Sequence, residues 1–213
     1  MIRGIIFDMD GLLFDSERVG MEVIKKAALK QGKVLTDDTV IATLGATNVV
    51  GKAIYEERVP GIDAELLYQG FAEGMSEQAE LGAIPLKKGA LGLLQKVKAL
   101  GIPCAVASSS PEKYVRLYLA SQKITEYFDV LIGGPKGINS KPAPDIFLLA
   151  AEKLGVAPRD CLVLEDSSNG IRAGRAAGMT VCMVPDLIPY REEFAPFVDY
   201  VAKDLTEAGE RFL

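Results

Sequence analysis

Five short apolar runs, Ile2 to Phe7, Ile102 to Ala107, Val130 to Ile132, Cys161 to Leu164 and Thr180 to Val184, are separated by stretches with helical spacing of apolar residues. That alternation predicts an α/β chain whose strands form a parallel sheet flanked by crossover helices. Leu86 to Leu100 carries the helical signal most clearly, with Leu91, Leu94, Val97 and Leu100 on one stripe and Gly101 placed to end it. Ser110, Pro111 and Glu112 read as a capping residue, a first-turn proline and an acidic first turn of the next helix. Gly155 and Gly178 end two later helices in the same manner.

Between Glu17 and Leu81 the rhythm breaks, because helix-like patterns follow one another with no buried strand. Ala27, Leu29, Leu44, Ile54, Leu66, Leu67 and Phe71 supply apolar faces for a small helical bundle. The connections lie at Phe14 to Ser16 and Gly82 to Pro85, so residues 16–81 are expected to form a helical insertion after the first strand. Residues 1–15 and 82–213 then make the sheet-bearing core, and two connections permit hinge motion. No internal repeat or low-complexity segment is present.

With 213 residues and 49% hydrophobic content, the chain can bury one sizeable core and a small accessory domain. Its net charge of −5 offers polyanions no general attraction, which argues against nucleic acid and membrane surfaces as partners. The apolar runs are far shorter than the ~20 residues that span a bilayer, and no signal peptide is evident, so a cytoplasmic location is expected. Cys104, Cys161 and Cys182 lie in apolar stretches and read as small buried hydrophobes; none opens a cysteine-phosphatase loop, and no pair has zinc-like spacing. The chain has no histidine, which removes imidazole-based triads, histidine phosphotransfer and most catalytic zinc sites. Carboxylates, lysines and hydroxyls must carry any chemistry.

Asp8-Met9-Asp10-Gly11 follows the first apolar run directly. Side chains two apart on an extended chain point to one side, so Asp8 and Asp10 would project together at the strand's carboxyl end, where open α/β sheets bind ligands. The same residues would also serve simply to end a strand in a turn. Glu165-Asp166 repeats the arrangement after Val163-Leu164 and leads through a turn into a helix. Four carboxylates at one sheet edge repel unless a cation neutralises them, and oxygen-only donors favour magnesium. Ser108-Ser109-Ser110 closes another strand and precedes a helix, which suits either an anion site or ordinary capping. Lys141 lies in a loop restricted by Pro142 and Pro144.

Together these elements resemble, in order and spacing, the four motifs of the haloacid dehalogenase superfamily, in its branch with a helical cap after the first strand. Phe7 to Glu17 looks like that branch's nucleophile motif, Lys141 to Phe147 like its lysine motif, and Leu164 to Ser167 like its metal motif. The resemblance covers essentially the whole chain and points to the β-phosphoglucomutase-like, CbbY-like phosphatase branch. It implies a Rossmann-like core and a magnesium-dependent phosphatase for a small phosphate monoester, such as a sugar phosphate. Asp8 would be the nucleophile and Asp10 the general acid/base, while Ser108, Ser109 and Lys141 would neutralise the phosphate oxygens. The metal would be held by Asp8, Asp10 through its carbonyl, and Asp166. Glu165 would hold Lys141 or a metal-bound water, or ligate directly. The cap would exclude bulk water, with Thr47, Asn48 and Lys52 as candidate substrate contacts. A monomer or weak homodimer is expected.

Gly45 to Lys52 imitates a nucleotide-binding loop but has one residue too many before Gly51, and Ala53 stands where Ser or Thr is required. The phosphonate-cleaving relatives lack an acid at the Asp10 position, and dehalogenases need neither that acid nor a metal. A phosphosugar mutase of the same branch has a histidine at or near Gly20 and an arginine about where Asn48 or Val49 stands, so both departures count against it. A silent binding module should have lost one of Asp8, Asp10, Lys141 or Asp166. A receiver-type switch domain would be about half as long.

Overall fold

The computed structural model describes residues 1–46, 48–134 and 137–213. They form two compact units, Met1–Asp15 with Pro85–Leu213, and Ser16–Ile84. The first is built on a six-stranded parallel sheet: β1 (Gly4–Phe7), β2 (Cys104–Ser108), β3 (Val130–Gly133), β4 (Cys161–Glu165), β5 (Thr180–Met183) and β6 (Tyr200–Val201), in the order β3-β2-β1-β4-β5-β6. The chain moves outward from β1 through β2 to β3, then returns to lay β4 on the other side of β1. The crevice at the carboxyl end of β1 is therefore the topological switch point. Phe7 pairs with both Val106 and Leu164, so Asp8, one residue on, falls level with Ala107 and Glu165.

All five apolar runs form strands, with one or both ends of each shifted by a residue or two. β6 has no counterpart in the sequence reading, because two residues are too short to show a period. Asp199 sets its start: its carboxylate accepts the Val181 amide at 2.8 Å, and its own amide bonds Val181 O at 2.8 Å. Ile146, Phe147, Ala150 and Ala151 of the helix Asp145–Leu154 cover one face of the sheet against Ile6, Ala105, Ala107, Ile132 and Val163. Burying a side chain of the size of Phe147 contributes ~1.5–3 kcal/mol.

The helix expected over 86–100 is shorter and turned to a different face. It spans Ala90–Ala99, starts after Gly89 at φ +85°, and buries Ala90, Leu93, Leu94 and Val97, while Leu91 and Leu100 are exposed. Leu86 instead bridges to Phe14. Ser110 is not a helix cap either: the helix Glu112–Ser121 is preceded by Pro111 and has no side-chain cap.

The second unit packs the helices Ser16–Lys30, Asp37–Ile41, Asn48–Arg58 and Ala64–Glu80 around Ile24, Ala28, Val40, Tyr55, Ile62 and Leu67. Of the apolar residues expected inside, Leu29 and Leu66 face solvent. The unit runs to Ile84, three residues past the expected 81, because the chain folds back on the last helix. Gly82, at φ +65°, lets the Ala83 amide reach Gln78 O at 2.9 Å, which ends the helix in a left-handed cap. Thr47 lies outside the described residues. Asn48 is exposed, and Lys52 is held by Glu65 and lies over the Tyr68 ring. Among the described residues no helix is long and apolar enough to cross a membrane.

The three cysteines are free and buried. Burial pushes the Cys104 and Cys182 thiols up to about 12 and the Cys161 thiol up to about 11, from an ordinary 9.0. The folded chain thus keeps protons that the unfolded chain releases near pH 9, so their stabilising effect is complete below 9 and is lost as pH climbs toward 11 and 12. At pH 8 none of the three should react with a disulfide reagent in the native protein, and all three should react in guanidinium.

Candidate active site

β1 is fully buried, and its last residue hands the chain to Asp8, whose amide bonds Leu164 O at 3.0 Å. The strand does not run on to Asp10. The chain turns so that the amides of Leu13 and Phe14 both reach Met9 O, at 3.0 and 3.1 Å, with Met9 buried. The β1 ladder thus ends at Phe7, Asp10 forms a bridge with Phe14 around the turn Gly11–Leu13, and the two carboxylates are held by different partners.

Lys141 Nζ donates to Asp8 Oδ1 at 2.5 Å, Glu165 Oε1 at 2.7 Å and Ala107 O at 3.1 Å, and lies 4.7 Å from the centre of the Phe147 ring. All three ammonium protons are used. The loop lysine is thus a buried cation shared by two carboxylates, its side chain only 4% exposed. Burial opposes its charge, yet Asp8 and Glu165 outweigh that and raise its pKa.

Glu165 ends β4 and is 1% exposed. Its Oε2 accepts the Ser167 amide at 2.8 Å and the Ser167 hydroxyl at 2.9 Å, while Oε1 faces Lys141. Both oxygens have partners, and of the roles open to Glu165 the hold on Lys141 is the one these contacts make. Ser167 also caps the helix Ser168–Ala176, its oxygen accepting the Gly170 amide at 3.1 Å. Gly170 packs against the Glu165 carboxylate so closely that a Cβ there would overlap it. Asp166 lies between Glu165 and this cap and is partly exposed.

Ser108 ends β2, 1% exposed, and its hydroxyl donates to Asp10 Oδ2 at 3.3 Å. The Ser110 hydroxyl donates to the same oxygen at 2.7 Å. Ser109 is exposed and shares with Lys141, Asn139, Ser140, Gly134, Ile138 and Ile146 the lining of a cavity of about 210 Å³. Sequence reasoning read Ser110 as a helix cap or part of an anion site, not as a partner of Asp10, and assigned no role to Ser167 or Gly170. Ser167 was findable as a capping residue before a helical run; nothing local marks Gly170 or the turn of Ser110 toward Asp10.

Asp8 is pushed up to about 8, from 3.8, by burial first, against the pull of Lys141 and with the push of Glu165 and Asp10. One ammonium does not balance the carboxylates gathered here. Among the described residues no three Asp, Glu or Cys side chains form a ready cage for a metal. The oxygen-only donors and the excess of negative charge nevertheless suit a hard divalent cation.

The parallel sheet gathers carboxylates and hydroxyls at the carboxyl ends of β1, β2 and β4 around the loop lysine Lys141, and residues 2–178 match the family model of the haloacid dehalogenase-like hydrolases. The chain belongs to that family. It is 32% identical over 181 residues to the phosphorylated carbohydrates phosphatase of Thermotoga maritima, covering 84% of this chain and 82% of the relative. It is 34% identical over 208 residues to the phosphoglycolate phosphatase of Shigella boydii serotype 4, covering 83% and 79%. Among solved structures, CbbY from Rhodobacter sphaeroides in complex with phosphate superposes with a TM-score of 0.83 at 27% identity, covering 98% of this chain and 99% of that one.

Proposed function

We propose that the chain is a magnesium-dependent phosphatase of small phosphate monoesters, phosphorylated carbohydrates or similar metabolites, working through an aspartyl phosphate on Asp8. The observation that carries this reading is Asp8 itself, a buried carboxylate at the switch point whose Oδ1 is fixed by Lys141 at 2.5 Å, with Asp10 and Ser108 at the same edge. The names of the relatives support the substrate class.

Asp8 attacks phosphorus while the bond to the ester oxygen breaks, and Asp10 gives that oxygen its proton. Asp10 then takes a proton from the water that attacks the phosphorus, the Asp8–phosphorus bond breaks, and inorganic phosphate leaves with both carboxyl groups restored. Lys141 and Ser108 neutralise phosphate oxygens during both transfers. Asp8, the Asp10 carbonyl and Asp166 would hold the magnesium, which when bound offsets the repulsion between the anionic nucleophile and the anionic substrate. Glu165 keeps Lys141 in place.

The tests are magnesium-dependent phosphate release from p-nitrophenyl phosphate and a kcat/KM comparison across sugar, nucleotide and short-acid phosphates. Asp10→Asn should lower kcat on p-nitrophenyl phosphate roughly 10²- to 10⁴-fold, because water attack loses its base. Rapid mixing should then reveal a burst of one nitrophenolate per enzyme. Steady turnover at the original rate would remove Asp10 from the mechanism.

The phosphosugar mutase reading is weaker on structural grounds as well. Gly20 is buried, and a Cβ there would stand 3.3 Å from the Phe71 ring and 3.9 Å from Met75 Sδ, so a side chain of imidazole size would need that ring to move.

A further inference from the structure

Asp10 Oδ2 receives two hydroxyls, and the serines that supply them are themselves linked: the Ser110 amide donates to the Ser108 oxygen at 3.0 Å. A hydroxyl has one proton to give. If Ser108 gives its proton to a phosphate oxygen, it has none left for Asp10, and of this pair only Ser110 still holds the carboxyl. Its bond, at 2.7 Å, is already the shorter one. Ser110 has no capping work to do, since the following helix is entered through Pro111 without a side-chain cap.

We infer that Ser110 is a positioning residue for Asp10: it anchors Oδ2, so that the proton handed to the leaving oxygen and later taken from water is carried on Oδ1. The inference rests on the acid/base role proposed for Asp10. Without the Ser110 hydroxyl Oδ2 loses its shorter hydrogen bond, and the proton is aimed at the leaving oxygen less consistently. Aim matters most where the leaving oxygen is a strong base that cannot depart without a proton, as in an alkyl phosphate. A nitrophenolate departs without one.

The experiment compares kcat/KM, which reports phosphoryl transfer to Asp8 and departure of the alcohol, for p-nitrophenyl phosphate and glycerol phosphate. Ser110→Ala should leave the aryl value within about twofold and lower the alkyl value ~10-fold or more, and Ser110→Thr, which keeps the hydroxyl, should restore it. Ser110→Cys, of similar volume but a weak donor, gives the same readout if the alanine variant does not fold. Equal losses on both substrates, or no loss on either, would overturn the inference. Asp10→Asn should display the same leaving-group selectivity; if it does not, the acid/base reading of Asp10 falls, and the Ser110 inference with it. Selectivity in Asp10→Asn but not in Ser110→Ala removes the Ser110 inference alone.

Discussion

Asp8→Asn is expected to end phosphate release, by roughly 10⁴-fold or more, without lowering the melting temperature. The two halves of this result have separate causes. An amide nitrogen or oxygen in the place of the carboxylate is too poor a nucleophile to take a phosphoryl group, so turnover stops at its first bond. The fold has no reason to weaken, because burial makes the Asp8 charge costly before any cation arrives and pushes its pKa up to about 8. Lys141 keeps Glu165 and the Ala107 carbonyl as partners in the variant. Calorimetry beside a phosphate-release assay checks both halves. A variant that melts normally and still turns over would sink the nucleophile assignment, whereas one that unfolds would say that the Asp8–Lys141 pair is needed for structure.

Lys141→Met should do the reverse, removing stability and activity together. The methionine fills the space of the lysine stem against Phe147 but leaves Asp8 and Glu165 buried with no shared cation. Removing one partner from a buried ion pair typically costs about 3–5 kcal/mol. For a domain of this size that lowers the melting temperature by roughly 6–20 °C. Adding Glu165→Gln to Lys141→Met should return part of the loss, since the second change removes a stranded charge. If the double variant is no more stable than Lys141→Met alone, the charge argument fails and the lysine contributes chiefly by packing.

The sheet was legible because strands buried on both faces need continuous apolar runs, and each of the five longer strands supplies one. The face of the helix Ala90–Ala99 was not. Its sequence, ALGLLQKVKA, is apolar on more than one side, so periodicity alone could not choose between stripes. Tertiary contact chose. Leu93 meets Gly209 of the helix Leu205–Phe212, and Lys96 Nζ bonds Gly209 O at 3.0 Å. The carboxylates at the ends of β1 and β4 were legible for the same reason as the sheet, since polar residues directly after a buried strand stand out. What no local pattern could supply was their pairing: that Lys141 is buried between Asp8 and Glu165, or that the Ser110 hydroxyl reaches Asp10 rather than capping the helix that follows it. Those are agreements between distant segments, and a cap signal or a loop lysine looks the same without them.

That separation has a consequence for the protein's synthesis. Asp8 and Lys141 stand 133 positions apart, and Glu165 a further 24, so the charge cluster joins parts of the chain that leave the ribosome at very different times. A growing chain with β1, β2 and β3 in place still lacks β4 and therefore the carboxylate that steadies the lysine. Closing contacts over so long a span is slow. Hydrolytic competence should thus be among the last properties the nascent polypeptide acquires, which keeps half-made chains from acting on the cell's phosphate esters.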